Sequence, residues 1–135
     1  MKPIARRSLL LLVLAMGLLV PSLANAQDDS TPKKRLRTPA TVRGFIGGES
    51  HDSYVVRVRR GKTLTVRLSW RPEGDNNAAF SISKSSSFFS AEPLAGGKES
   101  ADGKRWTGKI PASGNYYIYV TAHPTAHYTL RVTVR

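Results

Sequence analysis

Four segments of this chain alternate apolar and polar side chains with a period of two, and that rhythm restricts the fold more than any other feature. Tyr54, Val56 and Val58 alternate with Val55, Arg57 and Arg59, and Leu64, Val66, Leu68 and Trp70 with Thr65, Arg67 and Ser69. Tyr116, Ile118 and Val120 alternate with Tyr117, Tyr119 and Thr121, and Tyr128, Leu130, Val132 and Val134 with Thr129, Arg131, Thr133 and Arg135. Successive side chains of a strand point to opposite faces, so each segment has one apolar face to bury and one polar, often basic, face to expose. That is the pattern of antiparallel sheets packed on one side. Weaker alternation predicts further strands over residues 41–46, 78–83 and 104–110. The sum is about seven or eight short strands separated by turn residues, which implies an all-β sandwich.

The turns supply register. Arg60-Gly61-Lys62 suits a three-residue hairpin loop with glycine at positive φ. Such a hairpin would set Val58 opposite Leu64 and Val56 opposite Val66, and it would place Arg57, Arg59 and Arg67 together on its outer face. Pro111-Ala112-Ser113-Gly114 is a second turn, feeding the strand that begins near Tyr116. Residues 83–103 lack periodicity and contain a serine-rich patch, Phe88-Phe89 and Gly96-Gly97. A stretch of that length is a functional loop or hides a poorly patterned strand, and the adjacent phenylalanines are expected in the core.

The N-terminus reads differently. Lys2, Arg6 and Arg7 precede an apolar run from Leu9 to Val20, Pro21 breaks it, and Ala24-Asn25-Ala26 offers a small-x-small cleavage pattern. Residues 1–26 are therefore expected to be a cleaved secretory signal. The apolar run of about 12 residues is short of the roughly 20 that a helix needs to cross a bilayer, so no stable membrane insertion is expected after cleavage. Residues 27–39, with two prolines and Lys33-Lys34-Arg35-Leu36-Arg37, read as a flexible basic leader, and residues 40–135 as one sandwich domain. A periplasmic or secreted location follows.

The formal net charge is +12, from 21 basic and nine acidic residues, and there is no cysteine. Loss of the signal removes three cations and leaves about +9. Absence of cysteine excludes disulfides, thiol catalysis, a lipoprotein anchor and cysteine-rich zinc sites. The fold must then rest on its apolar strand faces, which is feasible for a domain near 100 residues.

In order along the chain, Gly44-Phe45-Ile46, Asp52-Ser53-Tyr54-Val55-Val56-Arg57-Val58 and Gly61-Lys62-Thr63-Leu64-Thr65-Val66 resemble the bacterial pre-peptidase C-terminal domain. So do Trp106-Thr107-Gly108, the segment running from Pro111-Ala112-Ser113-Gly114 through Asn115-Tyr116-Tyr117-Ile118-Tyr119-Val120, and Tyr128-Thr129-Leu130. The resemblance spans residues 40–134 and implies a jelly-roll-like antiparallel β-sandwich used as a non-catalytic module of exported proteins. A small version without an attached enzyme also resembles periplasmic inhibitors of goose-type lysozyme, which plug the enzyme cleft with a loop. Their Ser-Gly-x-Tyr turn has its counterpart at Ser113-Gly114-Asn115-Tyr116, whereas the short connection 121–126 departs from them in lacking a long basic loop.

Catalytic readings fare poorly. Ser85, His51 and Asp75 supply the residue types of a hydrolytic triad, but no Gly-x-Ser-x-Gly elbow accompanies them, and a triad is defined by geometry. The carboxylates are scattered, against a two-carboxylate glycosidase. His123 and His127 are four apart, but Pro124 and the strand pattern break the helical spacing that would let both ligate a metal. No cofactor or metal is expected. The chain reads instead as a binding module, its partner a lysozyme, another cell-wall-active protein or an anionic envelope glycan. Nucleic acid is not expected for an exported chain. Expected contact residues are Arg57, Arg67, Ser113, Tyr117, Tyr119 and His123, the tyrosines lying beside the basic face.

Overall fold

The computed structural model describes residues 31–135, so the signal reading over 1–26 and the start of the leader lie outside the described residues. Nine strands are present among them: β1 Lys33–Leu36, β2 Ala40–Gly47, β3 Asp52–Val58, β4 Thr63–Trp70, β5 Asn77–Ser83, β6 Lys98–Glu99, β7 Arg105–Lys109, β8 Gly114–His123 and β9 Thr125–Val134. They form a four-stranded sheet in the order β1-β3-β8-β5 and a five-stranded sheet in the order β2-β9-β4-β7-β6. All pairs are antiparallel except β1 with β3. This is the expected β-sandwich.

The connectivity departs from expectation in one respect that relocates the basic residues. Consecutive strands lie in opposite sheets at every step of the described chain except β6 to β7. The predicted hairpin at Arg60-Gly61-Lys62 is therefore not a hairpin: β3 pairs with β1 and β8, and β4 with β7 and β9. Gly61 does take positive φ, 84°, but in a link between sheets. Val56 and Val58 face the same core as Leu64 and Val66 from the opposite layer. Alternation specifies which face of a strand is buried and says nothing about whether the next strand lies beside it or across the core.

The leader is also partly structured. Lys33–Leu36, expected to be flexible, runs parallel to β3, with Lys34 opposite Tyr54 and Leu36 opposite Val56. Leu36 is buried in the core, and the Lys34 ammonium sits 5.7 Å from the Tyr54 ring centroid. One apolar anchor, a cation–π contact and four residues of pairing to an otherwise open strand edge offset the ordering cost that its composition predicts.

The core is the sum of the inward faces. Val56, Val58, Leu64, Val66, Tyr116, Ile118, Val120, Leu130 and Val132 are almost fully buried. One polar device links the layers. Tyr54 of one sheet and Tyr128 of the other bring their hydroxyls to 2.5 Å, and Tyr128 donates to the Asp52 carboxylate. Because each phenol has one proton, Tyr54 must donate to Tyr128. Burial raises both phenols above their ordinary range, and for Tyr128 the bonds to Asp52 and Tyr54 raise it further, so both phenols stay protonated. A side chain at Gly44 would meet the Tyr128 hydroxyl at 2.5 Å; only glycine admits that ring.

Candidate functional site

Strand directions define two ends of the sandwich. At one end lie the 59–62 link between β3 and β4, the 110–113 turn before β8, and the C-terminal residue Arg135. Backbone bonds tie the three together: Gly61 N to Ile110 O at 2.9 Å, Ile110 N to Lys62 O at 2.8 Å, and Thr63 N to Arg135 O at 2.7 Å. Ser113 completes the joint, its Oγ accepting from Arg60 N at 2.8 Å. Tyr116, fully buried, donates from its hydroxyl to Ala112 O at 2.5 Å and fixes the turn from beneath. The Ser-Gly-x-Tyr segment is thus a clamp on the 59–62 link, and its glycine (φ 159°) is nearly extended.

Arg57, Arg59, Arg60, Lys62, Lys109 and Arg135 are all exposed around this joint, and neither the 59–62 link nor the 110–113 turn contains a carboxylate. Glu49, Asp52, Glu73, Asp75, Glu99 and Asp102 fall at the opposite end, in or beside the loops after β2, β4 and β6. The tip is therefore rigid and cationic, while six of the seven side-chain carboxylates of the described residues lie toward the other end, where Arg71 and Lys104 also stand. Asn115, next to the clamp and paired in register with Arg57, has a buried Oδ1 without a hydrogen-bond partner.

Of the expected contact residues, Ser113 and Arg57 meet at this joint, and Arg67, Tyr117, Tyr119 and His123 do not. Arg57 and Arg67, expected on one hairpin face, sit on opposite sheets because β3 and β4 do. Arg67 instead lines an open groove on the five-stranded sheet, of about 550 Å³, with Arg105, Arg131, Arg135 and four threonines. Tyr117 and Tyr119 lie on the outer face of the other sheet, so they are not beside the Arg67 surface. Tyr119 is buried and donates to Ser85 O at 2.5 Å, whereas Tyr117 is half-buried with its ring stacked 6.4 Å from that of Tyr119. His123 ends β8 at the acidic end, away from Ser113, and the 121–126 connection is a tight passage into β9 through Pro124.

The first part of the aperiodic stretch 83–103 folds over that outer face, whereas Lys98–Glu99 form the short edge strand β6 of the other sheet. Phe88 and Phe89, expected in the core, are outside it. Phe88 stacks on His51 at 4.1 Å between centroids and meets Tyr119 edge-on, and Phe89 is 55% exposed. Here the serines bond to one another: Ser85 Oγ donates to Ser87 O at 3.2 Å and lies 3.0 Å from Ser90 Oγ. The Ser85 hydroxyl is thus engaged within its own turn, and Asp75 is on the β4–β5 loop. Among the described residues no three His, Cys, Asp or Glu side chains gather as a metal-ligating set, and no helix is long and apolar enough to cross a membrane.

No family model matches the sequence, and no curated protein matches it significantly. Solved structures do. The periplasmic inhibitor of g-type lysozyme from Aeromonas hydrophila superimposes with a TM-score of 0.62 at 23% identity, covering 76% of this chain and 96% of the inhibitor. The pre-peptidase C-terminal domain of a Bacillus anthracis collagenase gives 0.58 at 22% identity, over 78% and 99% of the two chains. The corresponding g-type lysozyme inhibitor of Salmonella Typhimurium gives 0.51 at 19%, over 76% and 98%. The chain therefore has the sandwich fold common to these inhibitors and to the pre-peptidase C-terminal domain.

Proposed function

We propose that this protein is a non-catalytic binding module of the cell envelope, exported by a signal over residues 1–26, that inhibits a goose-type lysozyme by inserting its cationic tip into the enzyme cleft. The observation that carries this reading is the tip itself: Arg59, Arg60 and Lys62 on a short link held by Ser113 Oγ and by backbone bonds to the 110–113 turn. Glycosidase clefts hold catalytic carboxylates. A guanidinium delivered to such a carboxylate forms a short, charge-assisted and often bidentate bond. Rigidity matters as much as charge, because a link already fixed in place loses little entropy on binding. The cluster of cations at the tip adds orientation, since an acidic cleft attracts that end. The fold shared with two g-type lysozyme inhibitors supports the same reading.

The test is lysis of a cell-wall suspension by goose-type, chicken-type and invertebrate-type lysozymes with the purified protein added. Protection is expected at micromolar protein against the goose type, and Arg59→Glu with Arg60→Glu should weaken it by about tenfold or more. Undiminished lysis by all three enzymes would sink the inhibitor reading.

A further inference from the structure

The outer face of the five-stranded sheet carries a second cationic surface, which meets the tip only at Arg135. In register, Arg105, Arg67 and Arg131 stand directly opposite one another on β7, β4 and β9, with Thr41 of β2 completing the row. The next row toward the tip is Thr107, Thr65 and Thr133. All three arginines are exposed. Side chains directly opposite on neighbouring strands have Cβ atoms about 5 Å apart, and like charges there oppose folding. Three guanidinium groups in a single row are thus placed against the interest of stability. Protection of a sheet edge does not explain them, because β4 and β9 are interior strands and β2 and β6 are the edges.

We infer that this face is a binding site for a linear anionic polysaccharide lying across β9, β4 and β7. Its acidic groups would pair with the Arg105–Arg67–Arg131 row, and its hydroxyls would meet Thr107, Thr65 and Thr133. Guanidinium forks match carboxylate and sulfate oxygens in pairs. Threonine hydroxyls both donate and accept, which suits a hydroxyl-rich chain. Thr65 and Thr107 already lie 3.3 Å apart across the strands, so the belt is ordered. Single-stranded nucleic acid is the less suitable polyanion. It needs successive aromatic platforms, and among the described residues the one aromatic pair on this face, Phe45 with His127 at 4.5 Å, stands at its far end beyond Arg43. The inference is independent of the inhibitor reading, since it uses a different sheet face.

The experiment is calorimetric titration of the full protein with polygalacturonate, heparin and an oligothymidylate, at two salt concentrations. Binding to at least one of the two glycans is expected to be tighter than to the oligonucleotide at equal charge. Arg67→Gln with Arg131→Gln should lower glycan affinity about tenfold and flatten its salt dependence, leaving any lysozyme inhibition intact. Arg59→Gln with Arg60→Gln removes the same charge from the tip and should leave glycan affinity within about twofold. Equal losses from both double variants would reduce the effect to net charge and overturn the proposal. So would tighter binding of the oligonucleotide, or failure of both glycans to bind. A melting temperature for each variant separates lost binding from lost folding.

Discussion

The two sheets share one core but treat their outer faces in opposite ways. On the four-stranded sheet, Ser53, Val55 and Tyr119 point outward by strand parity and are nevertheless buried, and the serine-rich turn with Phe88 folds back onto Tyr119. On the five-stranded sheet the outward residues that line the open groove are arginines and threonines. The covered face adds a second, smaller layer of packing. The bare face is polar and repels itself. A surface residue that packs and one that only carries charge can occupy equivalent positions in an alternating strand, and the alternation does not distinguish them. Stability is therefore expected to reside on one outer face and ligand affinity on the other.

Substitutions on the covered face should have the largest effect. Tyr119→Ala removes a fully buried ring together with its bond to Ser85 O and its contact with Phe88. A loss of about 3 kcal/mol is expected, in line with large-to-small substitutions at buried aromatic positions. Tyr119→Phe keeps the ring and strands the Ser85 carbonyl, costing about 1 kcal/mol. Urea denaturation measures both, and the difference between them apportions the covering turn into packing and hydrogen bonding. A Tyr119→Ala loss below the Tyr119→Phe value would mean that the turn contributes no layer at all.

On the bare face the sign should reverse. Arg67 has an arginine opposite it on each side, and Arg67→Thr relieves both repulsions while keeping a residue suited to strands. A gain of about 0.2–1 kcal/mol is expected at low salt, shrinking as salt screens the charges. The urea midpoint at two ionic strengths checks it. Destabilisation would show that the arginine stems pack on the sheet more than their charges repel.

How far the sequence revealed these faces depends on which physical signal each residue leaves. Leu64, Val66, Leu130 and Val132 announce themselves by alternation, and the strands they belong to are where that pattern places them. The leader strand has only Leu36 as anchor, so no pattern precedes it. The arginine row was partly legible: Arg67 and Arg131 are visibly outward, yet their adjacency, and the separation of Arg57 from Arg67, follow from a chain that changes sheet between strands. Local turn residues carry no information on that choice, since Gly61 serves an inter-sheet link as well as a hairpin. Tyr119 is outward by alternation, as in the structure, but alternation does not tell whether a loop covers it, because the covering turn is held by serine-to-serine bonds that have no periodic signature. The tip is legible in composition, through Arg59, Arg60 and Lys62, but its rigidity comes from Ser113 contacting a residue 53 positions away.

Asp102 offers the finest distinction between the faces, because it borders the bare one. It lines the acidic-end extension of the groove with Arg67, Arg105 and Arg131, but its bonds are local: Oδ1 accepts from Ser100 Oγ at 2.6 Å and from Lys104 N at 3.1 Å. The Ser100 hydroxyl first, and then the Lys104 amide, hold its carboxyl below the usual range. A carboxyl held low in the folded chain stabilises it above the ordinary aspartate range, and that contribution is lost as pH falls through the lowered value. Asp102→Asn should then be slightly less stable than the parent at neutral pH and equal to it in acid. The side chain is fully exposed, so the difference is small and salt-sensitive. For an anionic polysaccharide the same substitution removes a repelling charge and should raise affinity by a factor of about two to three. Titration of the Asp102 carboxyl by NMR fixes the first expectation, and calorimetry with polygalacturonate the second. Unchanged affinity would confine the glycan to the threonine belt between the arginine row and the tip, away from the Asp102 turn.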